Sequence, residues 1–153
     1  MRPLLFSSTL LTISLFIIHP APAQTSKVNF DHMALYVRNL DSSMRFYTQL
    51  FHFDTLPHPQ LERRYQWYMV GANSAFHMEV GLKDTVNTPF FTHFCFSVPS
   101  IDEFAKLLDE HGIRYYSGPD LKKGCSLRND GVKQLFFQDP HKYWIEVNDA
   151  RHP

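Results

Sequence analysis

Polar and apolar residues alternate through His32–Val37 and again through His93–Val98, and after each run apolar residues recur three and four positions apart. Alternation is the mark of a strand with one buried face, and the second spacing is that of a helix with one apolar stripe. The pattern predicts a helix over residues 41–51, with Met44, Tyr47, Leu50 and Phe51 on one side. It predicts another over 101–112, with Ile101, Phe104, Leu107 and Leu108 inward and Gly112 as the stop. Runs rich in aromatic and β-branched residues follow each helix: 63–71 and 75–80 in the first half, 132–140 and 143–149 in the second. Turn signals such as "NDG" and "DPHK" separate them. The order is therefore β-α-β-β-β written twice, as modules of about residues 28–83 and 90–149 joined through a linker at 83–89. The expected class is α+β, with the two sheets paired into a half-closed barrel.

The duplication can be checked by spacing. His32 and His93, Val37 and Val98, Leu40 and Ile101, and Asp41 and Asp102 are each 61 residues apart. Because alternate strand residues share a face, His32, Ala34 and Tyr36 point one way and Met33, Leu35 and Val37 the other. By the same rule His93, Cys95 and Ser97 oppose the apolar set Phe94, Phe96 and Val98, so both histidines are expected in a groove between the sheets. Aligning the last strand of each half puts Glu79 opposite Glu146, which are 67 apart. The second half thus carries a six-residue insertion, placed in the loop at 115–131. A carboxylate inside an apolar strand needs a partner, and a metal ion shared with the two histidines would supply one. His77 lies two residues before Glu79 on the same face and is the alternative ligand.

Composition narrows the partners. The chain has 15 basic and 15 acidic residues with no basic block, which argues against nucleic acid and anionic membrane surfaces and for a small-molecule ligand. Residues 1–23 read as a secretory signal, with Arg2, the apolar run Leu4–Ile18 and "APA" before Gln24. The expected mature protein spans residues 24–153 as one domain, periplasmic or secreted, with no membrane attachment once the signal is cleaved. Two cysteines, Cys95 and Cys125, allow at most one disulfide between them.

The segments "FDHMALYVRNLDSSMRFYTQLFHF", "THFCFSVPSIDEFAKLLDEHGI" and "FFQDPHKYWIEV" resemble the glyoxalase, bleomycin-resistance and extradiol-dioxygenase superfamily, also called the vicinal oxygen chelate fold. The resemblance implies the His, Glu, His, Glu ligand pattern of glyoxalase I at His32, Glu79, His93 and Glu146. It also implies a divalent ion (Ni, Zn, Fe, Mn or Co), a homodimer, and catalysis by Glu146 or Glu79 through an enolate or enediolate. Tyr36 and Lys83 stand where glutathione-specific relatives commonly carry arginine and asparagine, so the substrate is expected to differ from theirs. Tyr36, Trp67, Phe136 and Arg128 are candidate substrate contacts, with Arg63, Arg64 and Lys123 as further cations. The superfamily also contains iron dioxygenases, for which His32, His93 and Glu146 would be the ligand set, and proteins that sequester a toxin without chemistry.

Overall fold

A computed structural model of the chain describes residues 28–57 and 64–151. The signal segment at 1–23 and Arg63 lie outside the described residues.

The first half consists of β1 (His32–Val37), α1 (Leu40–Phe51), β2 (Thr55–Leu56), β3 (Tyr65–Val70) and β4 (Ser74–Val80). The second consists of β5 (His93–Ser97), α2 (Ile101–Glu110), β6 (Tyr115–Tyr116), β7 (Ser126–Leu127), β8 (Lys133–Gln138) and β9 (Trp144–Asn148). The short β7 falls within the predicted insertion. One sheet runs β1-β4-β3-β2 and the other β5-β9-β8-β6, with β7 paired to β8. The first strand of each half pairs in parallel with the last, so the repeat in the sequence is a repeat in topology. Among the described residues no ladder joins the two sheets, and they form no closed barrel.

Each helix starts where local hydrogen bonding favours it. The Asn39 side chain accepts from Ser42 N–H at α1, and Ser100 accepts from Glu103 N–H at α2, satisfying backbone donors that the helix leaves open. Burial follows the predicted stripes. Tyr47 and Leu50 of α1, and Ile101, Phe104 and Leu108 of α2, are buried with the apolar strand faces in one core. That core spans the halves through rings: Phe51 meets Phe96 at 4.7 Å, Phe46 meets Phe137 at 6.2 Å and Phe53 meets Phe96 at 5.2 Å.

Ser43 is buried for a reason that periodicity does not reveal. Its hydroxyl donates to Asn39 C=O, so it accepts from His141 Nε2–H at 2.9 Å, in the turn between β8 and β9. Four residues on, the Tyr47 hydroxyl donates to Asp139 Oδ2 at 3.0 Å. The other Asp139 oxygen accepts from the backbone N–H groups of His141 and Tyr143. The linker joins this latch where Val86 N–H donates to His141 C=O. Polar groups sealed in a core hold α1 in one register against the second module, because any slip would leave them unsatisfied.

Candidate functional site

The faces turned away from the apolar core carry the chemistry. In the second sheet, the parallel register of β5 and β9 sets Cys95 beside Glu146 and Ser97 beside Asn148. His93 reaches diagonally to Glu146, with Nε2 3.0 Å from Oε2. Its other nitrogen, Nδ1, lies 3.1 Å from the carbonyl of Phe90. A carbonyl only accepts, so Nδ1 carries the hydrogen and Nε2 faces the carboxylate with its lone pair unless a second proton sits there. Two electron-rich atoms at this distance require a proton or a metal ion between them.

Aromatic rings wall this pair. Phe90, in the segment leading to β5, packs on Phe136 at 4.7 Å and Trp144 at 4.9 Å, and His93 meets the Phe136 edge at 5.4 Å. On the other side opens a cavity of about 590 Å³ lined by Cys95, Ser97, Arg128, Glu146 and Asn148, among others. Arg128 sits at its rim, exposed, with Nη2 2.6 Å from Asp130. Cys95 is partly open to solvent, yet its thiol lies against Asn148 Nδ2. Burial of the sulfur, and then the negative charge of Glu146, push that thiol up to about 12. Cys95 is therefore a neutral thiol at physiological pH and no nucleophile. Cys95 and Cys125 are both free.

The first sheet presents the matching face. Pairing of β1 with β4 aligns His32 with Ala75, Ala34 with His77 and Tyr36 with Glu79, placing all six on one side. Trp67 of β3 lies opposite His77 and stacks on it at 4.0 Å with an 11° tilt. His32 lies 5.3 Å from both rings. Asp31 Oδ2 accepts from His32 Nδ1–H at 2.6 Å, so His32 also presents Nε2. The Tyr36 ring lies against Gly81, where an added Cβ would come within 2.8 Å of it.

The predicted ligands are thus gathered as two half-sites. His93 and Glu146 touch, and His32 and His77 cluster with Trp67 on the face that Glu79 shares. Among the described residues no group of three or more His, Cys, Asp or Glu side chains is placed to hold a metal ion. The donor chemistry fits a divalent cation half by half. His32 and His93 each have Nδ1 committed, to a carboxylate and to a backbone oxygen respectively, the arrangement that orients a ligating imidazole, and an apposed carboxylate is present in the second module. Strands β1 and β5 also line a common, largely apolar cavity of about 1030 Å³, which His32 and Cys95 border but His77, Glu79, His93 and Glu146 do not. Arg64 reaches the carbonyl of Val80 at 3.4 Å, and Lys123 pairs with Asp109 at 2.8 Å. Sequence reasoning missed Asp31, the Phe90 carbonyl and Asn148. Asn148 was within reach of it, standing two positions after Glu146 on the same strand face.

Two βαβββ modules, each carrying histidine and glutamate on the sheet face turned away from the core, define the class of this α+β chain. The chain belongs to the Glyoxalase/Bleomycin resistance protein/Dioxygenase superfamily, whose model matches residues 29–147. It is 27% identical over 125 residues to Glyoxylase I 4 of Arabidopsis thaliana, a match covering 78% of this chain and 69% of that protein. A glyoxalase family protein from Bacillus anthracis superposes with a TM-score of 0.64 at 23% identity, covering 84% of this chain and 99% of that one. The oxidase ChaP-H2 superposes equally, at 0.64 and 19% identity, covering 83% and 97%. At these identities structural likeness speaks to fold alone. Members of the superfamily generally use divalent metals and bind small-molecule substrates.

Proposed function

We propose that the protein is an exported, metal-dependent enzyme of the glyoxalase type, a lyase or isomerase acting on a small substrate with two adjacent oxygens. The observation that carries this reading is the His93–Glu146 pair, in which Nε2 and Oε2 stand 3.0 Å apart while Nδ1 is held by the Phe90 carbonyl. That arrangement favours a cation between the two groups. A divalent ion bound there would polarise a substrate carbonyl and so acidify the neighbouring C–H bond. Glu146 or Glu79 would take that proton and return it to the adjacent carbon. The rings of Phe90, Phe136 and Trp144 would exclude water, and Arg128 at the rim would meet an anionic substituent.

The full ligand set His32, Glu79, His93 and Glu146 is proposed to assemble between two copies of the chain. Closing the modules onto each other within one chain would break the buried Ser43–His141 and Tyr47–Asp139 contacts and part the shared aromatic core. A second copy supplies the missing half at no such cost, and relatives of this fold often function as dimers.

Turnover in deuterated water tests the chemistry, using hemithioacetals and 2-hydroxy ketones with air and under argon. Solvent deuterium entering the product without oxygen is the expected result, and Glu146→Gln should lower the rate by on the order of 10²–10⁴. Strictly oxygen-dependent turnover of a catechol would contradict the reading in favour of a dioxygenase. Export is tested by the N-terminus of the cellular protein, expected at Gln24 in the periplasm or medium. An intact residue 1–23 segment on a cytoplasmic protein would contradict it.

A further inference from the structure

We infer that Asn148 is a positioning residue for Glu146, an inference that rests on the metal-site reading above. Its side-chain amide has one possible orientation. Oδ1 accepts from the backbone N–H of Ala150 at 3.1 Å and from the Ser97 hydroxyl at 3.2 Å, and the first of these is a donor and nothing else. Nδ2 is thereby turned toward Glu146, where it donates to Oε1 at 3.0 Å. The remaining oxygen, Oε2, is the one that faces His93 Nε2. The carboxylate is gripped at one oxygen by an amide that is itself gripped twice, leaving a single oxygen aimed at the imidazole.

Burial gives this grip its force. Asn148 is 5% exposed and Glu146 9%. A buried amide hydrogen with no acceptor is costly, so the Glu146 rotamer that supplies the acceptor is selected over those that do not. The device belongs to the second module alone. At the 67-residue spacing that relates Glu79 to Glu146, the residue matching Asn148 is Gly81, which has no side chain and is covered by the Tyr36 ring. The two glutamates of the repeat are therefore held differently: Asn148 fixes Glu146, and no amide stands in that position for Glu79. A ligand that is already oriented binds more tightly, because the ordering is complete before the ion arrives.

The test is Co²⁺ titration of the full chain, followed by the visible d–d absorption band and by competition with a chelator, in the wild type, Asn148→Ala and Ser97→Ala. Asn148→Ala should bind Co²⁺ about 10- to 100-fold more weakly, with a changed band shape, the range seen when outer-shell partners of ligands are lost. Ser97→Ala leaves the amide in place but frees one of its two anchors, so it should shift affinity in the same direction by less. It also serves if Asn148→Ala does not fold. Wild-type affinity and band shape in both variants would overturn the positioning role while leaving the metal site standing. A wild-type protein that binds no Co²⁺ would overturn the site itself and the positioning role with it.

Discussion

Tyr47→Phe removes one hydroxyl from the latch between the modules, and its cost should depend on pH. The hydroxyl donates to Asp139 Oδ2 across 3.0 Å in a region where both residues are buried. Burial foremost, and then the charge of Asp139, keep the Tyr47 phenol well above its ordinary value, so it stays a donor at every pH of interest. Burial also raises the Asp139 carboxyl, opposed by the hydrogen bonds from the Tyr143 and His141 backbones and from Tyr47. A carboxyl raised in the folded state keeps its proton to higher pH than in the unfolded chain. Asp139 therefore weakens folding progressively as pH rises from about 3.9 through its raised folded value. Removing a donor that favours the carboxylate deepens that loss at neutral pH. A hydrogen bond to a charged group contributes about 1.5–3 kcal/mol and a neutral one about 0.5–1.5 kcal/mol. The variant should thus lose about 1.5–3 kcal/mol at pH 7, a Tm drop of roughly 6–12 °C for a domain of this size, and about half that near pH 4. Urea denaturation followed by circular dichroism at both pH values measures it. An equal loss at the two pH values, or none at either, would refute the claim that the bond reaches a buried carboxylate.

Two further substitutions or treatments probe separate features. Phe137, fully buried and in ring contact with Phe46, Phe51 and Phe104, joins both helices, so Phe137→Ala should cost about 3–5 kcal/mol. The variant should still melt in one transition, and two resolved transitions would show that the halves do not share a core. Cys95, with its thiol at about 12, should be alkylated by iodoacetamide at pH 8.5 far more slowly than in the unfolded chain, on the order of 10³-fold by thiolate fraction. Mass spectrometry of the labelled peptide reads this, and comparable native and unfolded rates would mean that burial, with the charge of Glu146 beside it, does not hold the thiol in its neutral form.

The parts of the fold set by periodicity were legible in the chain. The repeat at His32 and His93 announced two parallel pairings of first and last strands, and the stripes of Tyr47, Leu50, Phe104 and Leu108 named the buried helix faces. The insertion implied by Glu79 and Glu146 appeared as the loop that carries β7. What stayed hidden depends on contacts between distant residues. Ser43 reads as a solvent-facing helix residue until His141, 98 positions away, is brought against it. The candidate ligands of one site could be named, but their division between two faces could not, because alternation tells which face a side chain takes and not which other face will meet it. Asn148 was overlooked because asparagine at the end of a strand reads as a turn former, whereas here its amide is turned inward by Ala150 and Ser97.

The central claim is a metal site completed by a second copy, and complementation tests it directly. His32→Ala and His93→Ala each spoil one half-site, so each homodimer alone should lose Co²⁺ binding. Co-expressed in equal amounts, the two chains would form hetero-pairs in which one of the two composite sites keeps both histidines, because each chain contributes the half that the other lacks. Random pairing should restore about a quarter of the wild-type metal content. Recovery of that fraction in co-expressed protein, with none in either variant alone, is the predicted result. No recovery despite demonstrated hetero-pairing would place both histidines within one chain's site and contradict the account.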